Sequence, residues 1–114
     1  MDANLCILCG MMKTECELIE EERVRQLSKE GWSAEHDDRH DRFELTKAAM
    51  CYCAVDAVDV GAFAMLYKFL WPWAPEYWKP GYGQAGTVRS LVNAGALIAA
   101  EIDRINRLPE DDLV

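Results

Sequence analysis

Residues 71–86 constrain the fold more than any other part of the chain. The segment, Trp71-Pro-Trp-Ala-Pro-Glu-Tyr-Trp-Lys-Pro-Gly-Tyr-Gly-Gln-Ala-Gly86, holds three prolines, three glycines and five aromatic residues. Proline fixes φ and lacks an N–H donor, so neither a helix interior nor a central strand runs through it. Rings as large as those of Trp71, Trp73 and Trp78 are too apolar to be left in water, so the segment is predicted to be an ordered loop pinned against whatever lies on either side.

Both flanks read as helices. Thr14-x-x-Glu17 matches a capping box and Gly31 supplies a stop, which predicts a first helix over residues 15–30. Its apolar positions, Cys16, Ile19, Val24 and Leu27, are sparse, so a narrow stripe is expected to be buried and a broad charged face to stay wet. Asp41-x-x-Glu44 is a second capping-box candidate, followed by Phe43, Leu45, Ala48, Ala49, Tyr52, Val55 and Val58. That helix either continues through Phe63, Leu66, Tyr67 and Leu70 to a stop at Pro72 or bends near Gly61. A final helix is expected over residues 87–107, with Val88, Leu91, Val92, Gly95, Leu97, Ile98, Ile102 and Ile105 at helical spacing and Leu108-Pro109 closing it. No β-branched alternating run is bounded by turns, and no internal repeat appears. The predicted class is all-α: a small bundle of three to four helices with the ordered aromatic and proline-rich loop between the last two. Residues 1–12 read as an N-terminal extension, 13–108 as a single helical domain and 109–114 as an acidic tail.

With 114 residues, of which 51% are hydrophobic, the chain is long enough to bury one core without staples. Its formal charge of −8 argues against tracking a phosphate backbone, so direct nucleic-acid binding is not expected. The five cysteines are an odd number, and Met1-Asp2-Ala3-Asn4 lacks the basic start of a secretory signal. Both favour the reducing cytoplasm. No apolar run reaches the roughly 18 residues needed to span a bilayer, so no membrane partner is expected.

The chemistry concentrates in residues 22–40. His36, Asp37, Asp38, His40 and Asp41 offer imidazole and carboxylate ligands that suit zinc, manganese or iron, and a metal set drawn from the chain would be Glu22, His36, Asp38, His40 and Glu101. Asp and His also populate such turns because they cap helices and accept tight backbone conformations. Arg23, Gln26 and Glu30 follow one another at three- and four-residue steps and lie on one helix face, which ends at Trp32 and offers positive, hydrogen-bonding groups to an anion. The same Arg23 can instead pair with Glu20 or Asp38, and Trp32 can fill the core. Trp78, Lys79 and Arg89 combine a stacking ring with cations that neutralise a phosphate. Trp71 and Trp73 are expected to cover the helices. Cys6-x-x-Cys9 resembles half a zinc knuckle that Cys16 does not complete, while Cys51 and Cys53, two apart on a helix, point in different directions.

Residues 22–38, with their Glu-Arg-x-Arg-Gln, Glu-Gly-Trp and His-Asp-Asp runs, together with Trp71-Pro-Trp73, Trp78-Lys-Pro80 and the Ala-Gly-Ala-Leu-Ile run from Ala94, resemble a family of small accessory proteins of tailed phages and prophages. The chain differs from that pattern at Tyr77, where tryptophan is common, and at Phe43, where glycine often stands. A basic helix running into Gly31-Trp32 also looks distantly like the ryanodine-receptor repeat domain, which implies a nucleotide-type ligand. His36-Asp37 is similar to the signature of HD-type phosphohydrolases but has no upstream histidine. Glu17-x-x-Glu20 is similar to the first carboxylate pair of MazG-like nucleotide pyrophosphohydrolases, although Arg104 stands where the second pair needs an acid beside Glu101.

The expected function is therefore a non-catalytic phage accessory protein, without a cofactor, that binds a small anionic, nucleotide-like ligand or a host protein, with counter-defence as the role the setting implies. In that reading Arg23 and Lys79 neutralise the anion, His36 and His40 donate hydrogen bonds, Trp78 stacks, and Gln26, Trp32, Asp37, Asp38 and Arg89 complete the surface. One alternative is hydrolysis of nucleotides with a divalent metal held by Glu17, Glu20, Glu22, Asp37, Asp38 and Glu101. Another is an acidic inhibitor of a nucleic-acid-binding host enzyme. Homo-oligomerisation through the small residues from Ala94 to Ala100 is a further possibility left open at this level.

Overall fold

The computed structural model describes residues 13–109. The predicted extension, with Cys6 and Cys9, and most of the acidic tail lie outside the described residues. The order is α1 (Glu15–Lys29), a short α2 (Ala34–Asp38), α3 (Glu44–Ala54), α4 (Val60–Leu70), a 3-10 turn (Pro75–Tyr77) and α5 (Gly83–Asn106). Among the described residues there is no strand, and the protein is an all-α bundle with its aromatic loop between the last two helices. No helix among them is long and apolar enough to cross a membrane.

Helix α5 is the common partner, packing against α3, α1 and α2, while α4 rests on α3. Small side chains make this possible. Ala48 and Ala49 of α3 meet Ala94 and Ala100 of α5, so the two backbones come close, and Leu45, Tyr52 and Leu97 fill what space remains. Trp32, Trp71, Trp73 and Trp78 close over this core from outside, as the loop's composition predicts. The small-residue run is used within the molecule: a Cβ on Gly95 would stand 2.7 Å from Ile19 Cδ1, which is how α1 seats on α5.

One buried face and three boundaries differ from the sequence expectation. The buried face of α1 is polar: Glu22 and Gln26 are 3% and 2% exposed, whereas Val24 and Leu27 are each 58% exposed and Cys16 is exposed too. Glu22 tolerates burial because two arginines meet it, as described below. The second capping box does not form. Phe43, in the left-handed region at φ 63°, occupies the N-cap of α3 without a side-chain cap, and Glu44 instead accepts a hydrogen bond from the Arg42 amide at 2.6 Å. The first turn of α3 is served from afar by Glu101 of α5, whose Oε2 accepts from the Thr46 amide and hydroxyl at 3.3 and 2.6 Å. The break between α3 and α4 falls at residues 55–59, ahead of Gly61, because Asp59 Oδ1 accepts from the Ala62 amide at 2.8 Å and starts a new helix.

Finally, α5 begins at Gly83, where φ is +68°, four residues earlier than expected. Its first turn is held by a glycine-on-glycine crossing: a Cβ on Gly81 would lie 2.5 Å from Gly86 Cα. Both partners are backbone, so neither can yield cheaply. Gly86→Ala should therefore cost about 1–3 kcal/mol, the range for overpacking a filled site. Gly95→Ala should cost less, since the terminal methyl of Ile19 can rotate away. Thermal melts followed by far-UV circular dichroism would show the order, and equal losses would mean that the crossing does not anchor the loop.

Candidate functional site

Two helix stripes and the aromatic loop enclose a cleft of about 720 Å³. Glu22, Gln26 and Glu30 succeed one another at four-residue steps along α1 and its C-cap, and Arg89, Asn93 and Leu97 do the same on α5, so each set shares one face. Arg25 joins them from α1. The remaining wall consists of Trp32, His36, His40, Tyr52, Trp71, Trp73 and Tyr77, with Lys79 beyond the 3-10 turn.

The charged groups are organised around Glu22. Its Oε1 accepts from Arg25 Nε at 2.7 Å and from Arg89 Nη2 at 2.6 Å, and its Oε2 accepts from Arg25 Nη2 at 2.8 Å. Gln26 Nε2 adds a longer contact at 3.4 Å. Burial opposes ionisation of Glu22, but hydrogen bonds from Arg25 and Arg89, reinforced by their charge, outweigh it and hold the carboxyl below its ordinary 4.5. Arg25 also donates to Glu30 at 2.8 Å, and its bonds to Glu22 and Glu30 keep it firmly protonated despite partial burial. Arg89 engages Glu22 through one nitrogen and leaves its side chain 47% exposed, while Lys79 has no ion-pair partner among the described residues. The lining thus sets three cations, Arg25, Lys79 and Arg89, against two carboxylates in a chain of net charge −8.

The aromatic wall contains a closed circuit of four rings. Trp32 stacks on His36 at 5.5 Å and 7°, His36 meets His40 edge-on at 4.9 Å, His40 meets Trp73 at 5.4 Å, and Trp73 returns to Trp32 at 6.2 Å. Carboxylates orient both imidazoles. Asp37 Oδ1 lies 3.0 Å from His36 Nδ1, and Glu44 Oε2 lies 3.3 Å from His40 Nδ1. With Nδ1 turned to its carboxylate, each ring has Nε2 as its second polar atom.

Of the residues singled out in the sequence, Gln26, Trp32, His36, His40, Lys79 and Arg89 come together in the cleft. Arg23, Asp37, Asp38 and Trp78 do not line it. Arg23 donates to Gln26 Oε1 at 2.9 Å and lies 3.6 Å from Asp37, so it holds the floor from behind, and Asp37 is 1% exposed. Asp38 is bound by Arg107 at 2.7 Å. Trp78 packs among Tyr52, Phe63, Tyr67 and Trp71, with centroids 4.6–5.6 Å away, as part of the loop's anchorage. The candidate metal set is dispersed: Glu101 serves Thr46 and Arg104, Asp38 serves Arg107, and among the described residues no three His, Cys, Asp or Glu side chains gather as ligands. Cys51 is buried, which pushes its thiol up to about 11, whereas Cys53 is exposed.

Sequence reasoning placed Glu30 on the same helix face as Gln26, missed Arg25, Tyr52, Tyr77, Asn93 and Leu97 as lining residues, and cast Trp71 and Trp73 as cover for the helices. Asn93 carried a usable signal, since it interrupts the apolar run Leu91-Val-Asn-Ala94 and lies between buried Val92 and Ala94. It is 8% exposed, and its Oδ1 accepts no hydrogen bond. Comparison with protein-family models, curated proteins and solved structures finds no match.

A carboxyl depressed in the folded state contributes stability that is present above its unfolded value and lost as pH falls through the folded one. Glu22 and Glu44 are both depressed. For Glu44, burial opposes the shift, and bonds from the Arg42 amide and His40 drive it. The melting temperature should hold steady from neutral pH to about pH 5 and fall below that. Glu22→Gln should melt lower at pH 7 and decline less steeply in acid. Parallel acid limbs for the two proteins would assign the acid sensitivity elsewhere.

Proposed function

We propose that the protein is a binding module and that its cleft takes a small anion carrying a planar ring, of the nucleotide type. One observation carries this reading: the circuit of Trp32, His36, His40 and Trp73 lines the same cleft as half-exposed Arg89 and Lys79, which has no ion-pair partner among the described residues. Stacked aromatic walls hold a base whatever its identity, and guanidinium and ammonium groups take a phosphate. The acidic exterior keeps polyanions away, so the cationic interior favours a ligand small enough to enter. In the phage accessory setting suggested by the sequence resemblance, such a module would sequester or sense a host nucleotide, which is how a counter-defence role would operate.

Hydrolysis fits less well. Glu22, Asp37, Asp38 and Glu101 are each engaged by an arginine, so none of these four is free to gather around a magnesium ion without breaking an ion pair.

Isothermal titration calorimetry with adenosine and uridine monophosphates, and with ribose 5-phosphate, tests the reading. Both nucleotides should bind and the sugar phosphate should bind far more weakly. Arg89→Ala and Lys79→Ala should each weaken nucleotide binding by about ten- to a hundredfold, the worth of one charged hydrogen bond. Tyr77→Ala should lose a comparable amount if the ring stacks on a base. Absence of heat with every nucleotide would end the proposal, and manganese-dependent phosphate release abolished by Glu22→Ala would replace it with the enzyme.

A further inference from the structure

We infer that His36 and His40 form a two-imidazole site for a divalent transition metal of the zinc, nickel or cobalt kind, each ring binding through Nε2. The inference goes beyond the ligand reading above and does not rest on it, since the metal alone is the probe.

Both rings carry a carboxylate on one nitrogen and nothing on the other. His36 Nδ1 lies 3.0 Å from Asp37 Oδ1 and His40 Nδ1 lies 3.3 Å from Glu44 Oε2, and neither Asp37 nor Glu44 lines the cleft. Neither Nε2 has a hydrogen-bond partner among the described residues, where the unpartnered side-chain atoms shut away from solvent are Ser90 Oγ and Asn93 Oδ1 alone. Both Nε2 atoms are therefore open to solvent, in cleft-lining side chains that are 29% and 20% exposed.

Histidines that bind metals are arranged in this way. One ring nitrogen gives its lone pair to the ion while the other donates its N–H to a carboxylate, which fixes the tautomer and makes the ligand more basic. Here the device is present twice, four residues apart. His36 lies in α2 and His40 follows Arg39, whose αR backbone continues the turn, so the two imidazoles share a face. Their centroids stand 4.9 Å apart with planes crossing at 74°. Two imidazoles on one tetrahedral ion, with metal–nitrogen bonds of about 2.0–2.1 Å, have centroids about 5 Å apart. Trp32 against His36 and Trp73 against His40 hold the pair in place before any ion arrives.

The donors also indicate which ions fit. Two neutral nitrogens without a thiolate suit zinc, nickel and cobalt far better than magnesium or calcium, which require oxygen. No third His, Cys, Asp or Glu joins them among the described residues, so the other coordination positions fall to water or to an anion in the cleft. Simply filling the aromatic wall would require neither carboxylate, and phenylalanine would serve as well.

Cobalt(II) chloride titrated into the full chain, followed by tryptophan fluorescence and absorption, tests the site. One equivalent should quench saturably, because Trp32 and Trp73 lie 5.5 and 5.4 Å from the two imidazoles. The cobalt spectrum should lack the near-ultraviolet charge-transfer band of a thiolate ligand, which separates this site from the cysteines. His36→Gln and His40→Gln should each weaken binding by about tenfold or more, with far-UV circular dichroism unchanged, and the double variant should abolish it. Glu44→Ala should also cost about tenfold, while Glu44→Gln, which still accepts from Nδ1, should keep most of the affinity. No saturable quenching at millimolar cobalt, undiminished quenching in both single variants, or a thiolate band would overturn the inference. These outcomes hold even if the double variant fails to fold. They also leave the nucleotide titrations untouched, so the cleft reading stands or falls separately.

Discussion

The ion pairs of Glu22 do two jobs that proteins usually separate. Buried carboxylates are costly unless fully met, and here one oxygen receives both Arg25 and Arg89 while the other receives Arg25 again. Because Arg25 belongs to α1 and Arg89 to α5, the carboxylate fixes the register of the two helices. It also fixes where the guanidiniums stand in the cleft. Register and site geometry therefore share one set of hydrogen bonds, and the apolar contact of Ile19 on Gly95 supplies the attraction while the polar contact supplies the orientation.

Helix α5 extends this logic along its length. At its start the Gly81–Gly86 crossing ties down the loop; in its middle alanines admit α3; near its end Glu101 takes over the capping of α3 while pairing with Arg104. Each device lets a different part of the chain lean on one helix. The aromatic loop is anchored for the same reason: Trp78 packs, partly buried, among rings of α3 and α4, and the Lys79 amide donates to the Tyr52 hydroxyl at 3.2 Å. The loop can then present Trp71 and Trp73 to the cleft at set angles.

How much of this could be read from the chain varies with the physics involved. Helix class, the span of α1 and the loop's dependence on its rings were legible, since Thr14, Gly31 and the prolines act locally. The inward face of α1 was not. Hydrophobic spacing singled out Val24 and Leu27, and the fold buries Glu22 and Gln26 because Arg89, 67 residues away, offers a partner that no local pattern reveals. Glu101 capping α3 from 55 residues away defeated the Asp41–Glu44 reading in the same manner. At the site, Trp32, His36 and His40 of one turn come together on the cleft wall, while Asp37 and Asp38 of the same turn do not line it. Arg23 and Arg25 are two apart and equally basic, and only the rotation of α1 decides which faces the cleft.

On the proposed ligand reading, that rotation also means that the cleft would need little rearrangement. Side chains pinned before binding lose little further freedom on it. Asp37 and Glu44 hold the two imidazoles, the imidazoles brace Trp32 and Trp73, and Glu22 and Glu30 hold Arg25. What is left without such bracing is the outer part of Arg89, together with Lys79 and Tyr77, all at exposed positions. A rigid aromatic and amide interior behind a few adaptable cations is the division of labour expected where shape selects the ring and flexible charge accommodates an anionic group of varying length.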